Sequence, residues 1–145
     1  MLSSLATTGI AFCVAVITWN NWITNKGALR EKLFERRFAV FGETQIFLTM
    51  LTENDKQLDE AIGPFSDTFQ RSRFLCGHAV HEYLEVIRLK AFDTQFQKTV
   101  MANPVDYDDS QQHIKKYSET KIWYHKQLTV IFEKFDPFLS FEKNR

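Results

Sequence analysis

The stretch TWNNWITNKGALREKLFERRF, residues 18–38, decides how the chain is read. An uncharged apolar run ends there in Trp19 and Trp22, and the cations Lys26, Arg30, Lys32, Arg36 and Arg37 follow in quick succession. From residue 1 to Asn25 there is no Asp, Glu, Lys or Arg, so all 18 basic and all 18 acidic residues of the 145 fall after that point. Charge alone divides the chain into an uncharged segment, 1–25, and a charged domain, 26–145.

As a helix, Leu2 to Trp19 would rise about 27 Å, close to the hydrocarbon thickness of a bilayer. Residues 2–23 are therefore expected to span the lipid once. Trp19 and Trp22 stand where Asn20, Asn21 and Asn25 replace apolar residues. Indoles, with an apolar body and one N–H donor, favour the headgroup level, so these two with Lys26 and Arg30 form the expected membrane interface. Lysine and arginine beside a span are retained in the cytoplasm, which predicts an external amino terminus and a cytoplasmic domain. A cleavable export signal would carry its basic residues before the apolar run and small residues at the exit; the order here is the reverse. A buried core helix is the alternative, favoured by Thr7, Thr8 and Thr18, but an uncharged run of this length with a tryptophan edge favours the membrane. Glu31 and Glu35 interleave with the cations and dilute any polybasic lipid signal, so the stretch reads as a topology determinant on a solvated helix.

Helical periodicity dominates the rest. Leu29, Leu33, Phe34, Phe38, Phe41, Phe47, Leu48 and Leu51 recur at three and four spacings, predicting a helix from Ala28 to about Thr52 that either continues the span or bends at Gly27. A short helix through Ala61 is expected to stop at IGPFSD, because Pro64 lacks an amide donor and suits a first turn. The next helix carries Phe65, Phe69 and Cys76 inward and ends at a left-handed Gly77. Another, from about His78 to Val100, places Val80, Leu84, Ile87 and Ala91 on one face. ANPVDYDDS is a loop, and Asp109 with Gln112 resembles a capping box opening a last helix, which is expected to stop at Asp136-Pro137. Phe138, Leu139 and Phe141 beyond it either cap the bundle or present an apolar patch. No alternating strand pattern competes. The expected fold is all-α: a single amino-terminal transmembrane helix followed by a small cytoplasmic bundle of about four helices.

KLFERRFAVF after an apolar leader, then RFLCG and a closing FDPFLSF, resembles a loose set of small bacterial membrane-anchored helical proteins of unknown function. The matching positions are Leu33 to Phe38 and Arg73 to Gly77. The resemblance implies a bacterial inner-membrane setting and brings no catalytic residue with it.

Several function classes lose their basis in the composition. A net charge of zero offers no basic excess for nucleic acid. Cys13 and Cys76 lie in contexts too different for a disulfide, which fits a reducing compartment. Five widely spaced glycines exclude a phosphate-binding loop, and no cofactor is expected. HAVHEYLE invites a metal, because His78, His81, Glu82 and Glu85 fall at helical spacing, yet it is neither H-E-x-x-H nor its inverse. DYDDS lacks the glycine and glutamate of a calcium loop and reads as an acidic helix start. Cys76 beside Gly77 and His78 reads as a packed cysteine. The expected function is a membrane-anchored, non-catalytic module that contacts an unknown protein partner and forms a homo-oligomer. The rivals are a metal-dependent enzyme using His78, His81 and Glu82, and a small effector that permeabilises the bilayer, with Cys13, Thr7 and Thr8 facing neighbouring spans.

Overall fold

The computed structural model describes the backbone of residues 2–53, 57–103 and 107–140, with side chains described in those stretches except at 2–14 and 107–110. Among them there are four helices and no strand: α1 (Leu2–Glu53), α2 (Leu58–Leu75), α3 (Gly77–Ala102) and α4 (Tyr107–Leu139). The chain divides into two compact units, Met1–Glu35 and Arg36–Arg145. In the first, the described side chains from Ala15 to Leu33 are all exposed. The second is a helical bundle.

Gly27 does not end a helix. Its φ is not positive and α1 carries no break there. Further along, Phe41, Phe47, Leu48 and Leu51 are buried as the spacing predicts, and Val40 and Thr44 join them in one stripe. Thr44 sits in it at no polar cost, because its hydroxyl donates to the Val40 carbonyl at 2.7 Å. Leu29 and Phe38, expected on the same face, are exposed.

The expected break at Pro64 is corrected: α2 runs straight through it. A proline in a helix interior costs about 3 kcal/mol, but Leu58, Ile62, Phe65 and Thr68 are buried on both sides of it in one continuous stripe. Each large apolar side chain returns about 1.5–3 kcal/mol, so packing wins. Gly63 and Pro64 are on the exposed side, where the carbonyl that loses its amide partner meets water. Asp136-Pro137 is likewise no stop; Pro137 sits inside the last turn of α4 and the Ser140 amide closes on the Asp136 carbonyl at 3.0 Å. Phe138 and Leu139 are thereby brought against the core, while Phe141 lies outside the described residues. The predicted cap at Gly77 is present, with φ 76°, and the Cys76 amide bonds the Ser72 carbonyl at 2.9 Å. The ANPVDYDDS loop is corrected in part: 104–106 lie outside the described residues, but α4 already begins at Tyr107, so 107–110 are helix and Asp109 stands inside α4 rather than opening it.

Helix α3 packs closely on α2 and α4, whereas α1 meets its neighbours through phenylalanine rings and side-chain hydrogen bonds. Phe47 stacks on Phe65 at 4.0 Å between centroids, and Phe41 meets Phe132 and Phe135 edge-on at 5.3 and 5.5 Å. Rings of this size hold helix axes apart. Between α3 and α4 the core admits polar atoms in pairs: Thr94 and Tyr124 share a hydrogen bond of 2.8 Å, and Tyr83 points its hydroxyl at the Gln127 carbonyl at 3.5 Å.

Candidate functional site

Trp19 and Trp22 are 63% and 54% exposed, their rings tilted at 40° and 5.7 Å apart. Lys26 Nζ lies 4.9 Å over the Trp22 ring, a cation–π contact that carries the ammonium along the indole face. Arg30 is exposed one turn further on. The four expected interface residues thus share one short segment of α1. Most of the expected span, Leu2 to Val14, lies outside the residues whose side chains are described. Among the described residues no helix is long and apolar enough to cross a membrane.

The histidine motif separates into two contacts. His78 is 83% exposed and pairs with Glu82 at 3.1 Å. His81 stacks on Phe69 at 4.2 Å, with Nδ1 at 3.1 Å from the Ser72 hydroxyl and 3.2 Å from the Phe69 carbonyl. Among the described residues no three histidine, cysteine or acidic side chains gather as a metal site. Cys76 is fully buried, and burial pushes its thiol up to about 11, with the Arg37 charge pulling weakly the other way. Arg37 itself donates from Nε to the Leu75 carbonyl at 2.7 Å and ties α1 to the end of α2.

Two surface features were not legible in the sequence. The first is a cleft of about 590 Å³ between α1 and α2, left open where the phenylalanines space the helices. Ile46, Met50 and Phe65 give it an apolar floor, and Glu43, Thr68 and Arg71 close one side. Arg71 and Thr68 both donate to the same Glu43 carboxylate oxygen. That oxygen is occupied, which makes Glu43 a structural acceptor and a poor general base. The sequence signal was faint: one glutamate within an apolar helix, and Thr-x-x-Arg on the next.

The second is the outer side of α3. Leu84, Ile87 and Ala91 are fully buried on one side of that helix, yet Val86, Leu89, Phe92 and Phe96 on the far side are 46%, 56%, 41% and 59% exposed. Arg88 borders this stripe, its guanidinium 4.5 Å from the Phe69 ring and 5.8 Å from Phe92. Arg88 Nε is buried and has no hydrogen-bond acceptor among the described residues.

The chain matches no protein-family model, no curated protein and no solved structure.

Proposed function

We propose that the chain is a single-pass membrane protein whose helical bundle makes non-catalytic protein contacts, including contacts with its own copies. The observation that carries the reading is the exposure of Val16, Ile17, Trp19, Trp22 and Ile23 on one helix. A helix in water is stabilised chiefly by burying an apolar face, and these side chains bury little. Hydrocarbon supplies that burial, and the uncharged run that includes them, residues 2–23, is long enough to use it. The tryptophan pair then lies at headgroup depth, with Lys26 on Trp22 marking the exit. Lysine and arginine after that exit place the bundle in the cytoplasm, and the resemblance adds a bacterial inner membrane. Anchoring confines the bundle to a surface and raises its effective concentration for lateral partners, so weak interfaces suffice.

The test is fractionation of cells expressing the full chain. The expected result is recovery in the membrane pellet, resistance to alkaline carbonate, and release by mild detergent. Protease added outside spheroplasts should leave the bundle intact. A chain that stays in the supernatant, or a bundle digested from outside, overturns the reading.

A further inference from the structure

We infer that the outer stripe of α3 is the face through which two copies of this chain associate, with the two α3 helices side by side and running the same way. The inference rests on the anchoring reading and names the surface it uses.

A surface helix ordinarily carries one apolar stripe, facing the core, with polar residues opposite. Helix α3 is apolar both at its core positions and along Leu89, Phe92 and Phe96, which follow at spacings of three and four and so form one line. The bundle covers only the first set. The three side chains expose on the order of 300 Å² of apolar surface, the size of the largest patch on an ordinary monomer. Two such stripes contribute about 600 Å², less than the roughly 1,600 Å² of a standard stable interface. A pairing of that size is weak by itself, and confinement of the copies to one surface supplies the local concentration it needs.

Charge agrees with the same pairing. In two helices running together with Leu89, Phe92 and Phe96 as the seam, Arg88 flanks the seam on one side and Asp93 on the other. Each Arg88 then falls opposite Asp93 of the other copy, twice by symmetry, where its terminal guanidinium nitrogens meet Asp93 Oδ2, since Lys116 and Gln97 both bond Oδ1. Glu82 and Glu85 precede the apolar part of the stripe and limit close contact to the segment from Leu89 onward.

The experiment uses the full chain in native membranes, with Cys13→Ser to remove the cysteine of the apolar run and Cys76 left in place because it is buried. Leu89→Cys and Phe96→Cys, made singly, are each expected to give a disulfide dimer of twice the chain mass under mild oxidation. Ile122→Cys, equally exposed on α4, should not. Adding Phe92→Glu to either reporter should lower the dimer fraction about tenfold, the effect of losing roughly 1.4 kcal/mol. Absence of both dimers, an equal yield from Ile122→Cys, or capture of a different protein in place of a second copy overturns the inference. Fractionation of the same sample separates the two readings. Chain in the membrane pellet without cross-linking overturns the interface and leaves anchoring standing, whereas chain in the supernatant without cross-linking overturns both.

Discussion

Cys76 shows how a residue's neighbours decide its chemistry. Beside Gly77 and His78 it has the sequence setting of an activated thiol, but full burial disfavours the thiolate and pushes the group up to about 11. In the Cys13→Ser chain, maleimide at pH 8 should therefore leave Cys76 unlabelled in the native state and label it after urea unfolding; rapid native labelling would contradict the burial. Asp93 shifts the opposite way. Partial burial pushes its carboxyl up, but hydrogen bonds from Lys116, at 3.0 Å, and from Gln97, with the Lys116 and Lys90 charges, hold it below its ordinary 3.8. A lowered native value means that the contribution to stability is complete above 3.8 and is lost as pH falls through the native value. Asp93→Asn should lower Tm slightly at neutral pH, where the carboxylate contributes, and flatten the acid limb of a Tm-versus-pH curve below about pH 4, where the wild type loses the same contribution.

Among the elements, α2 and its junction with α3 carry the clearest consequences. Gly77 joins the two helices at φ 76°, and a Cβ added there would meet the Phe138 ring at 3.5 Å, an ordinary contact. Strain then comes from the dihedral, and Gly77→Ala should cost about 1–2 kcal/mol in a urea titration. Pro64 argues the converse. Because α2 is helical on both sides of it, Pro64→Ala should restore a backbone hydrogen bond and stabilise the fold by up to about 3 kcal/mol. A destabilising outcome would mean that the proline itself packs the cleft it lines. Helix existence was legible from the three and four spacings of Phe47, Leu48, Leu51, Val80, Leu84 and Ile87, because burial of one face is what a helix in a bundle requires. Helix ends at Pro64 and Pro137 were misread because local propensity is worth a few kcal/mol, and a continuous apolar stripe is worth more.

At the scale of the whole molecule, Phe135 sits where α4 meets α1, fully buried and edge-on to Phe41. Phe135→Ala should destabilise the bundle by about 3–5 kcal/mol, read from the denaturation midpoint, and leave membrane fractionation unchanged, because the uncharged run is a separate stretch of chain. By itself the sequence determined that the chain is helical, that charge begins only after residue 25, and that tryptophans and cations mark that boundary, since period and charge are properties of neighbours along the chain. Only the tertiary structure decided that His81 stacks on Phe69 while His78 stays in solvent, that Glu43 is held by residues of another helix, and that α1 and α2 stand apart over a cleft. It also decided that Leu89, Phe92 and Phe96 face outward, though by composition they are as apolar as the core. Which of two apolar stripes on a helix is covered depends on where its neighbours pack, and that is set by contacts between residues far apart in sequence.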